Sequence, residues 1–263
     1  MRQNYYSFLK KCFKKKKNSF ETLEQVQEAL EKAGLESSNL IVGIDFTKSN
    51  TWAGKQSFQG RCLHALHAKR PNPYQRALSV IGRTLSAFDD DDLIPAFGFG
   101  DASTSDKAVF PFFDDRAPCH GVDGVLARYG EIAPHVQLAG PTSFAPILDA
   151  AVAAVRAAQN AYHILVIVAD GQVTNERETR AALVRASHAP LSVICVGVGD
   201  GPFDEMHNLD DNLPARLFDN FQFVHFEEVC GARAENAEVA FALAATMELP
   251  EQYAQIKKLG LMQ

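Results

Sequence analysis

Nowhere in the 263 residues does an apolar run approach the length of about 18 that a membrane-spanning helix needs, and the N-terminus opens on Arg2, Gln3 and Asn4 where a secretory signal would place its apolar core. Both absences point to an intracellular, cytoplasmic chain. The five cysteines, Cys12, Cys62, Cys119, Cys195 and Cys230, are scattered and form no Cys-x-x-Cys pair, so they read as reduced thiols rather than as disulfides or a zinc site. No Gly-x-x-x-x-Gly-Lys-[Ser/Thr] loop is present, and Gly197-x-Gly199 lacks a third glycine and meets Pro202 instead, so phosphate-loop and dinucleotide motifs are both missing. Residues 1–20 hold seven Lys/Arg and no acid, which leaves 19 Lys/Arg against 32 Asp/Glu, a net −13, for the rest. A folded part so acidic is a poor match for nucleic-acid phosphates.

What is present is an alternation of apolar runs and amphipathic stretches. Phe20, Leu23, Val26 and Leu30 have helical spacing, with Gly34 placed to stop the helix. Strands are expected in the apolar first half of Asn39–Asn50, with Asp45 on the turn that leaves it, and at Leu93–Phe99, His163–Ala169, Leu191–Val198 and Phe221–Phe226. Helices are expected at Tyr74–Phe88, Val122–Tyr129, Ala145–Ala158, Asn175–Ala186 and Ala234–Leu249, with residues 111–119 a loop. With right-handed crossovers this order predicts an α/β fold: a doubly wound, mostly parallel sheet with helices on both faces, Rossmann-like in plan. At 46% hydrophobic residues the chain can bury the core that such a domain requires, and residues 20–263 are assigned to one domain. Residues 1–19, with Lys10, Lys11 and Lys14 to Lys17, read as a basic flexible tail. A sharper alternative is a weak contact with anionic membrane, lysines and the acylatable Cys12 together supplying two signals.

The chemistry is concentrated where strands end. Asp45 follows a continuous apolar strand and is itself followed at i+2 and i+4 by the hydroxyls of Thr47 and Ser49, three hard oxygens on one turn. Thr142 stands in a Gly-Pro turn at a helix entrance, and Asp170 follows the apolar run His163–Ala169. Open α/β sheets bind ligands at this carboxyl edge, so Asp45, Thr47, Ser49, Thr142 and Asp170 are the candidate ligands of a divalent cation, Mg²⁺ first, with Mn²⁺ or Ca²⁺ as alternatives. Asp101, with Ser103, Thr104 and Ser105 after it, is a second polar strand exit expected beside them. His64 and His67 are three apart without a third ligand and read as surface or packing residues. An aspartate-based phosphatase would need a second acid at position 47, which is Thr, so catalysis is not expected.

This constellation resembles the metal-ion-dependent adhesion site of von Willebrand factor A domains, with Thr47 in the Asp-x-Thr-x-Ser form where Ser is commoner. The likeness is closer still to the copine-type A domain through Glu36–Asn50, Leu93-Ile94-Pro95 with Phe97–Asp101, Gly140–Pro146, Val196–Pro202 and Phe218–Val224. That domain occurs in copines and in copine-like RING ubiquitin ligases of plants, the latter resembling this chain more. The resemblance implies a non-catalytic, metal-dependent protein-binding module in which a partner's Asp or Glu side chain meets the metal. Alternatives are a ligase-related subunit acting with a RING partner in trans, and a metal-independent scaffold in a larger assembly. Copines carry paired calcium- and phospholipid-binding domains for which the 44 residues before Asp45 leave no room. The ligases end in a zinc-binding RING, whereas only Cys230 occurs in the last 68 residues here, so no autonomous ligase activity is expected.

Overall fold

The computed structural model describes residues 20–171, 173–211, 216–231 and 236–262; the basic tail expected at 1–19 lies outside them. The first helix, α1 (Leu23–Lys32), begins where the Thr22 hydroxyl accepts a hydrogen bond from the Gln25 amide, and it buries Val26 and Leu30. Strand β1 (Asn39–Asp45) is buried from Leu40 onward. Helix α2 (Pro73–Leu85) starts at a reciprocal cap: the Asn72 side chain accepts from the Gln75 amide, the Gln75 side chain accepts from the Asn72 amide, and Pro73 fills the first turn, where no amide donor is needed. A short 3₁₀ turn, Ser86–Phe88, ends the stretch expected to be helical to Phe88.

The single strand expected at Leu93–Phe99 is two. Pro95 cannot donate to a ladder, and the chain divides there into β2 (Leu93–Ile94) and β3 (Ala96–Phe99). The β3 portion joins β1 in parallel, while β2 pairs antiparallel with β5 (Cys119–His120) in a separate two-stranded sheet. The expected loop at 111–119 is bounded by strand at both ends, since Pro111 closes β4 (Val109–Pro111), an antiparallel partner of β3.

Helices α3 (Gly121–Ile132) and α4 (Ala145–Ala157), strand β6 (His163–Ala169), helix α5 (Glu176–Ala186) and strand β7 (Leu191–Gly197) follow the expected order. Helix α6 (Asp204–Asp211), rich in acids, is an addition. After β8 (Phe221–His225), Phe226 opens α7 (Phe226–Gly231) instead of ending the strand. The closing helix expected at Ala234–Leu249 is shorter, because α8 (Ala237–Thr246) ends before Leu249, and Leu249 opens a further helix, α9 (Leu249–Leu259), with Pro250 in its first turn. Ala234 lies outside the described residues.

The main sheet has the order β4-β3-β1-β6-β7-β8, parallel except for β4 at one edge. Along β1, Leu40, Val42 and Ile44 join the core on one face and Ile41 the core on the other; along β6, Ile164, Val166 and Val168 oppose Leu165, Ile167 and Ala169. Burial on both faces is why these strands are continuous apolar runs, each such side chain contributing about 1.5–3 kcal/mol. The second face is closed by α4, which approaches β1 so closely that a Cβ on Gly43 would stand 2.7 Å from Ile147 Cγ1. The chain winds outward from β1 in one direction, to β3 and β4, and then in the other, to β6, β7 and β8. The carboxyl ends of β1 and β6 therefore flank the point where the winding reverses, where a doubly wound sheet leaves a crevice. Asp45 ends β1, and Asp170 follows the last residue of β6.

Candidate metal centre

Both carboxylates at this crevice are buried, Asp45 at 0% exposure and Asp170 at 2%. Asp45 Oδ1 accepts the Thr47 amide at 2.8 Å, a turn that the chain makes as it leaves the strand. The Thr47 and Ser49 hydroxyls are 2.9 Å apart, and Ser49 Oγ donates to Asp170 Oδ1 at 2.9 Å. Four of the five expected ligands, from two separate strand exits, are thus in one hydrogen-bonded cluster. The two carboxyls are close enough for the charge of Asp45 to act on Asp170. Among the described residues Oδ2 of each is buried without a partner, and two carboxylates cannot donate to each other. Burial raises Asp45 to about 6; burial, and then the charge of Asp45, raise Asp170 to about 8. A buried acid pair in this state favours a shared proton or a cation.

Thr142 is nearby through the main chain rather than joined by its hydroxyl. The segment before it bridges the exit of β1, with the Lys48 amide donating to Ala139 O at 2.6 Å and Thr47 pairing with Ala139. The bonds at Thr142 itself run to Thr174: its amide donates to Thr174 Oγ1 at 2.8 Å, and its carbonyl accepts from the amides of Thr174 and Asn175. These bonds fix the residue, and among the described residues its hydroxyl has no partner.

Around the cluster lies a support layer only partly visible in the sequence. The Asp45 carbonyl accepts from His64 Nε2 at 2.9 Å, from the Tyr74 hydroxyl at 3.1 Å and from Asn50 Nδ2 at 3.3 Å. Asn50 Nδ2 also donates to the Thr47 carbonyl, and its Oδ1 accepts from Tyr74. His64 is stacked between Phe46 and Tyr74, with ring centroids at 4.6 and 4.2 Å. Burial lowers its pKa to about 3, so it is neutral, and donation by Nε2 assigns Nδ1 as acceptor of the Tyr129 hydroxyl at 2.8 Å. Tyr129 in turn accepts from Asn72 Nδ2 at 3.0 Å, which ties the start of α2 to the end of β1. His64 thus belongs to packing, as expected, yet it also orients the backbone that carries Asp45. His67 is exposed. Close approach is essential on the other side as well: Gly100, at φ +79°, would with a Cβ place it 2.4 Å from Thr47 Cγ2.

Among the described residues no group of three or more His, Cys, Asp or Glu is arranged to hold a metal. The donor set here is two carboxylates with hydroxyls, oxygen only, which suits a hard cation such as Mg²⁺ or Mn²⁺ rather than zinc. The orphaned Oδ2 atoms fit a dication by charge and by their need for a partner.

A protein-family model for copines matches residues 62–263. The chain belongs to the copine family. E3 ubiquitin-protein ligase RGLG2 of Arabidopsis thaliana is 52% identical over 97% of this chain and 57% of its own length. RGLG3 of the same plant is 54% identical over 89% of this chain and 67% of its own. Copine family protein 2 of Caenorhabditis elegans is 49% identical over 92% of this chain and 3% of its own. This copine-family chain therefore spans little more than half of RGLG2. Among solved structures, a von Willebrand factor type A protein from Catenulispora acidiphila aligns with a TM-score of 0.49 at 13% identity, covering 81% of this chain and 43% of that one. Manganese-loaded Plasmodium vivax TRAP protein gives 0.48 at 14%, covering 79% and 74%. At such distance the strand order itself defines the doubly wound fold. Among the described residues no helix is long and apolar enough to cross a membrane.

Proposed function

We propose that this copine-family domain is a non-catalytic module that binds a protein partner through a divalent cation, Mg²⁺ or Mn²⁺ with Ca²⁺ as the larger alternative, held by Asp45, Thr47, Ser49, Thr142 and Asp170. The observation that carries the reading is the buried pair of Asp45 and Asp170, each with an oxygen lacking a partner. When bound, such a cation would supply an open coordination position that accepts an Asp or Glu carboxylate. The chain's own residues prepare that position. Ser49 commits its proton to Asp170 and accepts from the Thr47 hydroxyl, which leaves it one lone pair, while the neutral hydroxyls leave the charge of the dication to the two acids. His64, Tyr74 and Asn50 hold the turn from which Asp45 and Thr47 project.

Non-catalytic action is favoured by the state of the polar groups nearest the cluster. His64 has one ring nitrogen on Tyr129 and the other on the Asp45 carbonyl, so neither can serve as a general base without breaking the layer that positions Asp45. Pull-down from cytosol with wild type and Asp45→Ala, each with and without EDTA, tests the module: loss of the same partner under both perturbations is expected, and binding indifferent to both would favour a metal-independent scaffold. The plant relatives, named as E3 ubiquitin-protein ligases, support a second reading, a ligase-related subunit acting with a RING partner in trans. Ubiquitin transfer by the purified chain with E1 and E2 alone would overturn the non-enzyme assignment. A cytoplasmic location, contact of the N-terminal lysines with anionic membrane, and indifference to nucleic acid belong to the same proposal.

A further inference from the structure

The acidity of the chain is not shared by the segment that leaves the candidate metal centre after Asp45. Between Phe46 and Phe88 there is no Asp or Glu, while Lys48, Lys55, Arg61, Lys69 and Arg70 are all exposed. None of these five is in an ion pair among the described residues. The two other cations of the segment are engaged, Arg76 over the Phe226 ring and Arg83 with Glu238.

The same segment displays the chain's one tryptophan. Trp52 is 61% exposed and donates its amide to Ser49 O at 2.9 Å, one turn from the Ser49 hydroxyl of the metal centre. Lys48 stands between Thr47 and Ser49. The loop then folds back on itself: the Leu63 amide donates to Asn50 O at 3.0 Å, and Arg61 precedes Cys62, whose half-buried thiol is near enough to Asp170 to feel its charge. Leu66 adds a second exposed apolar side chain at 40%. Asp200 touches this loop, its two oxygens accepting the Gln56 and Ser57 amides at 2.7 and 2.8 Å. Lys48, Lys55 and Arg61 on the loop outnumber its single charge.

An exposed indole beside unpaired cations is costly to leave facing water, and tryptophan and arginine are the residue types that most often dominate interfaces. We propose that this basic, tryptophan-bearing rim is the docking surface for an acidic peptide segment of a partner protein. Further acids beside the segment's coordinating carboxylate face Lys48, Lys55 and Arg61, and an aromatic or aliphatic neighbour lies on Trp52. The proposal deepens the metal-dependent reading and rests on it for the coordinating carboxylate. Local positive charge steers such a segment toward a domain that is acidic elsewhere, so affinity is salt-dependent and specificity is set at the rim. A peptide fits better than an anionic lipid surface because the cations lie on one short loop that leaves the buried acid pair, and Asp200, held by that loop, would repel a continuous sheet of negative charge.

The full chain with Mg²⁺ is titrated calorimetrically with Ac-Glu-Glu-Asp-Phe-Glu-Glu-NH₂, with its Phe→Ala form, and with its all-amide Gln/Asn counterpart. Trp52 emission is recorded in parallel, since it reports from one position. Expected are a blue shift of Trp52, binding lost with EDTA, and no binding of the amide peptide. Raising NaCl from about 0.05 to about 0.5 M, or combining Lys48→Gln, Lys55→Gln and Arg61→Gln, should each weaken binding roughly 10-fold. Phe→Ala in the peptide should cost several-fold on wild type and nothing on Trp52→Ala. Far-UV circular dichroism checks that these surface variants fold. Binding abolished by EDTA but indifferent to the rim variants would overturn the rim and leave the metal reading intact. Binding that needs the rim yet survives EDTA and Asp45→Ala would keep the docking surface and remove the metal. Absence of binding by either acidic peptide, or rim-dependent capture of phosphatidylserine vesicles in place of peptide, would overturn the proposal.

Discussion

Two strand exits carry nearly the same residues: Asp45-Phe46-Thr47-Lys48-Ser49 after β1 and Asp101-Ala102-Ser103-Thr104-Ser105 after β3. At Asp101 the turn satisfies its own acid. Oδ2 accepts from the amide and the hydroxyl of Ser103, and Oδ1 from the amide and hydroxyl of Thr104. Burial alone would raise this carboxyl, but the bonds from Thr104 and Ser103 outweigh it and hold it below the usual carboxylate value. At Asp45 the hydroxyls turn toward each other and toward Asp170, and one carboxylate oxygen is left over. A carboxylate bonded locally at both oxygens is a structural cap; one buried beside another acid with an orphaned oxygen fits the proposed cation. The difference lies in the third dimension, since β6 brings Asp170 alongside Asp45, whereas β3 has the antiparallel edge strand β4 on its outer side.

The comparison breaks most visibly if either acid is exchanged. Asp45→Ala and Asp170→Ala should each weaken Mn²⁺ binding by more than about 100-fold, measured by calorimetry, because each removes an anionic donor rather than a supporting contact. Asp101→Ala should change it less than about 3-fold while lowering stability by about 1–3 kcal/mol, since four donors lose their acceptor. An equal loss of metal from all three variants would make Asp101 part of the centre.

Stability against pH should move in opposite directions at the two exits. Asp170 folds with its carboxyl raised from 3.8 to about 8 and Asp45 to about 6, so the folded, metal-free chain binds more protons than the unfolded one. Its stability should therefore fall as pH rises from about 4 through 8. Asp101 is held low, so its contribution is present above the ordinary carboxylate pKa and is lost as pH falls. In EDTA at pH 8, Asp170→Asn should raise Tm and Asp101→Asn should lower it, and excess Mg²⁺ should remove the advantage of Asp170→Asn. A metal-free wild type whose Tm is flat between pH 5 and 8 would contradict the strained acid pair.

His64→Ala removes a stacked ring and the donor to the Asp45 carbonyl together. The expected cost is about 2–4 kcal/mol in stability, with a 10- to 100-fold loss of metal affinity measured on whatever fraction remains folded. Asn50→Ala, which spares the stack, should retain the affinity loss at a lower stability cost; if only stability changes in both, the support layer does not act on the centre.

How much of this was legible follows from what each signal depends on. The apolar runs of strands β1 and β6 reflect burial on both of their faces, and acids placed at the ends of such runs mark the edge of the sheet. The split of Leu93–Phe99 turns on Pro95, and β4 is short and closes on Pro111, features that propensity alone treats as loop. Pro250 reads as a helix stop when it is instead a first-turn proline of α9. His64 could be recognised as a buried group, but its place on the Asp45 carbonyl depends on a loop of 18 residues returning to the end of β1, which no local pattern encodes. The two Asp-hydroxyl turns differ for the same reason.

Thr142 should give the smallest effect and therefore sharpens the ligand set most finely. Its described bonds to Thr174 and Asn175 are made by main-chain atoms, so Thr142→Val keeps both the turn and the side-chain shape and should shift stability by no more than about 0.5 kcal/mol. The variant then isolates one hydroxyl. If that hydroxyl is a ligand, its loss costs one neutral donor against the two acids that remain, and Mn²⁺ affinity should fall about 10-fold, well short of the Asp45→Ala loss. Thr142→Ser, which restores the oxygen, should recover most of it. Unchanged affinity in Thr142→Val would remove this residue from the centre and leave four ligands from two strand exits, Asp45, Thr47, Ser49 and Asp170, as the complete protein contribution.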